Sequence, residues 1–182
     1  MYKRQERSYG NSKLRFNKSE KSGDKLFRNE ISEGSLKFVD VSDESGILSS
    51  NIGYGLGISI SDINRDGCDD IYISNDFREN DYLYINNCDG TFSESLESYI
   101  NYTSRFSMGN DISDINNDAY PDIMVLDMLP QDEYVLKSSA GEDSYEIYKM
   151  KLDFGFNKQF TKNTLQLNLS LIHISEPTRQ DR

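Results

Sequence analysis

Tryptophan is absent from this 182-residue chain, histidine occurs once and cysteine only twice. Two cysteines are too few for a disulfide-dense miniprotein or a four-ligand zinc ribbon. Basic residues are also short, with 20 Lys and Arg against 31 Asp and Glu and a net charge of −11. A surface of that sign argues against nucleic acid or an anionic membrane as the main partner, because phosphate binding needs positive charge. No apolar run approaches the roughly 20 residues of a membrane-spanning helix. What the chain does have is 12 Tyr, 9 Phe and short clusters of Val and Ile, a composition that leans towards β-structure. Its length suits one hydrophobic core and one domain.

The two ends look foreign to the rest. Residues 169–179 read LSLIHISEPTR, which resembles the translation of a transposon-type sequencing-library adapter, and residues 1–5 (MYKRQ) resemble the opposite strand of the same adapter. Segments 1–5 and 169–182 are therefore set aside from fold reasoning. The sole histidine, His173, falls in the second of them and carries no functional expectation. The expectation is a fragment of a longer protein, so a signal peptide would not be seen here.

Residues 6–24 are polar, without apolar period, and read as a loop or linker. From residue 25 a repeat begins. Gly57 to Asn64 aligns with Gly109 to Asn116, and the register holds through Asp66/Asp118 and Asp70/Asp122 at a constant offset of 52 residues. Leu83-Tyr84-Ile85-Asn86 has counterparts in Leu26-Phe27-Arg28-Asn29 and Leu165-Gln166-Leu167-Asn168. A period near 50 with about four short alternating strands per unit predicts an all-β array of antiparallel strands, a partial β-propeller or a related array. The repeats span about 53–105 and 106–168. Leu56, Ile58 and Ile60 alternate onto one strand face. The second repeat is interrupted at 128–162, where 143–152 has Tyr145, Ile147, Tyr148, Met150 and Leu152 close to one helical face and predicts a short helix. Phe154, Phe156 and Phe160 are expected to pack it onto the sheet.

The chemistry concentrates in two acidic segments. The first is Asp62-x-Asn64-x-Asp66-Gly67-x-x-Asp70 and the second is Asp114-x-Asn116-x-Asp118-Ala119-x-x-Asp122. Side-chain oxygens at alternate positions converge when the backbone curls. Position 7 then supplies a backbone carbonyl (Cys68 or Tyr120), and the ninth residue closes the sphere with a carboxylate. Ca²⁺ takes 6–8 oxygens in flexible geometry, so two Ca²⁺ sites are expected, whereas Mg²⁺ demands a stricter octahedron. A metal-free Asp/Asn-rich turn is the plainer reading of one such segment; two in register between matched strands count against it. A helical EF-hand needs a bidentate Glu at position 12, where this chain has Ile73 and Val125.

Leu56-Gly57…Asp62-x-Asn64-x-Asp66-Gly67-x-x-Asp70-Ile71-Tyr72-Ile73 resembles the FG-GAP/VCBS repeat of integrin-alpha-type propellers. The longer strings at 53–92 and 104–130 are similar to bacterial VCBS-repeat proteins of the ASPIC/UnbV (cartilage-acidic-protein-like) group. The resemblance covers about 26–168. It implies a seven-bladed propeller in the intact protein, an extracytoplasmic (secreted or cell-surface, bacterial) location and structural calcium. Ala119 departs from the glycine usual at position 6, where φ > 0 is often needed, so the second loop is expected to be the weaker. Cys68 and Cys88 also depart from the pattern. A simple hairpin of 70–74 with 82–86 would set residue 70 opposite 86 and 68 opposite 88, and a Cys68–Cys88 bridge is hypothesised, supported by the oxidising compartment that the resemblance implies. Two unrelated thiols are the alternative.

Asn75, Asp76, Asn80 and Asp81 read as a solvated acidic-amide turn, Glu142, Asp143 and Glu146 as solvated helix charges, and Asp127 as an extra metal group or a cap for the insertion. The functional expectation is a non-catalytic module for adhesion or ligand binding, its partner an unknown extracellular protein or glycan, with loops such as 128–162 meeting that partner. The alternative is the propeller portion of an extracellular carbohydrate-active enzyme. Against it, 6–168 holds no histidine and no Ser/His/Asp set.

Overall fold

The computed structural model describes residues 15–19, 22–32, 34–135 and 144–168. Most of the linker 6–24, Glu142, Asp143 and both adapter-like ends, His173 included, lie outside the described residues. The chain is mostly β, built from several antiparallel sheets. It forms β1 (Phe27–Ser32), β2 (Ser35–Asp40), β3 (Gly55–Ser61), β4 (Asp70–Asn75), β5 (Tyr82–Asn86), β6 (Phe92–Glu94), α1 (Leu96–Tyr99), β7 (Tyr102–Ser104), β8 (Ser107–Ser113), β9 (Asp122–Asp127), α2 (Tyr145–Asp153), β10 (Lys158–Phe160) and β11 (Thr164–Gln166).

The central sheet is a four-stranded meander in the order β3-β4-β5-β6. Its neighbour is a three-stranded sheet, β11-β9-β8, with α2 and β10 falling between β9 and β11 in the chain. Both sheets start with the same irregularity, a register shift between Gly55 and Gly57 in β3 and between Ser107 and Gly109 in β8. The 52-residue repeat is thus a repeat of backbone as well as of sequence.

The alternation of side chains splits the central sheet into two faces. Ile71, Ile73, Tyr82 and Tyr84 share one, covered by Ile47, Leu48 and Leu26. Tyr72 and Leu83 share the other with Ile63, Leu96 and Ile100, and there they meet Ile123 and Val125 of the second sheet. This second cluster is the junction between the sheets. Where β3 crosses β8 the backbones nearly touch, and a Cβ on Gly57 would lie 2.9 Å from the Gly109 Cα. Only glycine fits that approach.

Leu56, Ile58 and Ile60 do alternate onto one face, yet that face is exposed at 44%, 63% and 61%. Ile58 and Ile60 sit opposite Ile73 and Ile71 in the ladder, so they lie at the open margin of the face that Ile47, Leu48 and Leu26 cover. The hairpin β1–β2 is likewise open on the face carrying Phe27, Ile31, Leu36 and Phe38.

Two expectations need correction. Arg15 to Ser19 is not free linker. Ser19 N donates to the Ser49 carbonyl at 2.8 Å, and the Arg15 guanidinium donates to Glu79 at 2.8 Å and also to the Gly155 carbonyl. The polarity of that segment serves ion pairing with a buried partner, which a hydropathy reading cannot distinguish from solvation. The β4–β5 hairpin pairs Ile71 with Tyr84 and Ile73 with Tyr82, one residue off the simple register, so Asp70 does not face Asn86 in the ladder. The cause is Asp70 itself: its carboxylate accepts the Asn86 N–H at 2.8 Å in place of a ladder partner.

In the insertion, α2 is capped by the Ser144 hydroxyl, which accepts from Ile147 N. Phe160 packs edge-on to Tyr102 at 5.6 Å, and β10 pairs in parallel with β7. No helix among the described residues is long and apolar enough to cross a membrane.

Candidate metal centres

The segment 62–70 joins β3 to β4, and 114–122 joins β8 to β9. In the first, the Asp62 carboxylate accepts from Asp66 N and Gly67 N, both at 2.9 Å. Asn64 Oδ1 accepts from Asp66 N at 3.0 Å, and Asp66 Oδ1 from Cys68 N at 2.9 Å. The second segment repeats each bond. Asp114 accepts from Asp118 N at 3.0 Å and Ala119 N at 2.9 Å, Asn116 Oδ1 from Asp118 N at 3.1 Å, and Asp118 Oδ1 from Tyr120 N at 2.8 Å. The side chains at positions 1, 3 and 5 therefore curl the backbone around themselves, the local turn chemistry that Asp and Asn favour.

Position 9 is different. Asp70 and Asp122 are completely buried. Asp70 accepts from Ile63 N at 2.9 Å as well as from Asn86 N, and Asp122 accepts from Ile115 N at 3.0 Å and Asn168 N at 2.9 Å. Each aspartate staples the start of its loop to the end of the third strand of its sheet. Burial pushes the Asp70 carboxyl up from its ordinary range, and the backbone N–H groups of Asn86, Ile63 and Asn64 oppose that shift. A carboxylate has about four lone-pair sites, so these donors orient Asp70 and Asp122 without exhausting them.

The turns bend through left-handed residues at positions 4 and 6 of both segments: Arg65 at φ 62° and Gly67 at 92°, Asn117 at 60° and Ala119 at 68°. Sequence reasoning singled out Ala119 but not Arg65. The expected ranking of the loops is weakened by this, because the first loop has its own side chain in a glycine-favouring region.

Cys68 and Cys88 are joined in a disulfide, with Cα atoms 5.7 Å apart. The ladder register would not place them opposite each other; Cys88 reaches across because it turns at φ 60° beyond β5. The bridge clamps the first loop to the β5–β6 turn. Among the described residues, Asp66, Cys68 and Cys88 are the one group of three metal-type side chains with ligand atoms within 4.8 Å of one another. Disulfide sulfurs are not thiolates, so that group holds no metal. The three carboxylates of neither loop meet at that spacing, since each is turned to backbone N–H groups. What fits calcium is the chemistry of the donor set. Asp62, Asn64, Asp66, Asp70 and the Cys68 carbonyl offer only hard oxygens, as do Asp114, Asn116, Asp118, Asp122 and the Tyr120 carbonyl.

The opposite end of the sheets overturns a second group of expectations. Asn75, Asp76, Asn80 and Asp81 are not solvated but buried, at 0%, 6%, 2% and 1% exposure. Asp81 accepts from Tyr72 Oη at 2.7 Å, Asn75 N at 2.8 Å and Ser107 Oγ at 3.1 Å, so it ties the central sheet to β8. Burial pushes its carboxyl up to about 7, against the pull of those donors and with a smaller push from Asp127. Asp127 caps the turn before β8 by accepting from Ser104 Oγ at 2.6 Å and from Arg105 N and Phe106 N. The polar turn is buried because its side chains supply the hydrogen bonds that its backbone would otherwise seek from water. Neither composition nor spacing carries that signal.

Residues 62–125 match the FG-GAP-like repeat family. The match runs from the first residue of the first acidic loop to three residues past the end of the second. No curated protein matches the chain. An FG-GAP repeat in a β-rich fold suggests a β-propeller-like repeat module for ligand binding.

Proposed function

We propose that this chain is a calcium-stabilised propeller module of a secreted or surface protein, serving adhesion or ligand binding without catalysis. The observation that carries the reading is the duplication of one hydrogen-bond pattern, atom for atom, in two loops whose donors are all oxygen. Such loops are the place where a hard cation would bind the folded chain and not the unfolded one. Asp62, Asn64, Asp66, Asp70 and the Cys68 carbonyl would hold one ion; Asp114, Asn116, Asp118, Asp122 and the Tyr120 carbonyl the other. Calcium there supplies charge neutralisation to carboxylates that otherwise repel, and the protein contributes their orientation.

The disulfide supports an oxidising, extracytoplasmic compartment. The strings at 53–92 and 104–130 support placement in the ASPIC/UnbV group. The insertion between β9 and β11 is the departure from a plain blade and offers the surface for a protein or glycan partner. Calorimetric titration of chelator-stripped protein with CaCl₂ tests the metal assignment. Two ions per chain are expected, falling to one for Asp62→Ala; absence of binding at millimolar calcium would sink the reading.

A further inference from the structure

Two independent contacts connect the acidic loops to each other. The first is a buried hydrogen-bond chain. Asp122 Oδ1 accepts from Asn168 N at 2.9 Å, the Asn168 side-chain amide donates to the Ile63 carbonyl at 2.9 Å, and Ile63 N donates to Asp70 Oδ2 at 2.9 Å. The position-9 carboxylate of one loop thus reaches that of the other through Asn168 and Ile63, both more than nine-tenths buried. The second is at the surface, where the Arg65 guanidinium lies 4.6 Å over the Tyr120 ring. Arg65 occupies position 4 of the first loop and Tyr120 position 7 of the second. The corresponding asparagine of the central sheet, Asn86, keeps its amide at home on the Asp69 carbonyl at 3.0 Å, so the cross-link is particular to this junction.

We infer that the two loops bind calcium as a coupled pair, each ion raising the affinity of the other loop. The inference rests on the calcium reading above and adds its regulation. Ordering one loop fixes Ile63 and Arg65, and through them Asn168 and Tyr120, so the second ion meets a partner already ordered. The coupling is reciprocal by linkage, whichever loop fills first. The linking groups are not themselves proposed ligands: Asn168 gives its amides and Tyr120 its ring, and the hydrogen-bond chain ends on one oxygen each of the Asp70 and Asp122 carboxylates.

The test is a calcium titration by calorimetry on the whole chain and on Asn168→Ala/Tyr120→Leu, which leaves all ten proposed ligand groups in place. Circular dichroism and the melting temperature in EDTA check that the variant is folded. The single variant Tyr120→Leu, at a half-buried site, serves if the double variant is not. The wild-type isotherm is expected to require a positive interaction of on the order of fivefold or more between sites. In the variant it is expected to resolve into independent sites, or, for Tyr120→Leu alone, to a visibly smaller interaction. Two independent sites in the wild type would overturn the coupling while leaving calcium binding intact. No binding in the wild type would overturn both.

Discussion

Ala119 and Arg65 sit in the left-handed region with φ of 68° and 62°, and each holds an otherwise favourable turn at a cost of roughly 1–2 kcal/mol. Gly67 and Asn117 take the same conformation at little cost. Ala119→Gly is therefore expected to stabilise the chain by about 0.5–1 kcal/mol, the relief of strain being partly offset by the freer unfolded chain, and to tighten the second loop. Arg65→Gly should do likewise for the first loop while removing its contact with Tyr120. Melting curves of both variants check this. Asp81 poses a different question. Its folded-state carboxyl is pushed up to about 7, above its unfolded value near 3.8, so the folded chain holds this proton more tightly. Its contribution to stability is full at low pH and is lost as pH rises from about 4 through about 7. Tyr72, Ser107 and the Asn75 N–H face it, and Asp127 adds repulsion once it ionises. Denaturant titrations in EDTA at pH 5.5 and 8 are expected to show less of a fall in stability for Asp81→Asn than for the wild type.

The strands and the acidic turns were legible because they rest on local chemistry: β-branched and aromatic alternation, and Asp and Asn curling the backbone between Ile60 and Ile71. What the sequence did not disclose is non-local. The one-residue offset of β4 on β5 depends on Asp70 taking the Asn86 N–H, and the burial of Asp81 and Asn80 depends on partners distant in the chain, Ser107 and Asn157. Asn86 and Asn168 were visible as repeated residues, but their role as the far end of each aspartate staple needed the fold. The disulfide acts at this scale too. Its sulfurs close a span with a sequence separation of 20, for which chain entropy predicts about 3 kcal/mol of stabilisation. Cys68→Ser/Cys88→Ser should lose about that much in urea unfolding. Its calcium affinity should drop more at the first loop than at the second, which a titration in the Asp114→Ala and Asp62→Ala backgrounds separates.

Across the whole molecule, the two sheets share one core, centred on Tyr72, Leu83, Ile123 and Val125, but leave apolar surface on both outer sides. Leu56, Ile58 and Ile60 are exposed on one side, and Met124, Leu126 and Leu165 on the other. In the junction between the sheets the equivalent faces meet each other, so a second copy offers each open face a fitting partner. Sedimentation is expected to show association that rises with concentration and is reduced by Ile58→Lys or by Leu126→Lys, and equal monomer for all three proteins would contradict it. In the proposed function, calcium in the two loops holds these sheets together. Thermal unfolding of the same protein in excess EDTA and in millimolar CaCl₂ tests it most directly. Each site should add about 2.7 kcal/mol when calcium is a hundredfold above its dissociation constant, so the melting temperature is expected to rise by many degrees, and magnesium should not substitute. Coincident melting curves in EDTA and calcium would rule out that role for the ion.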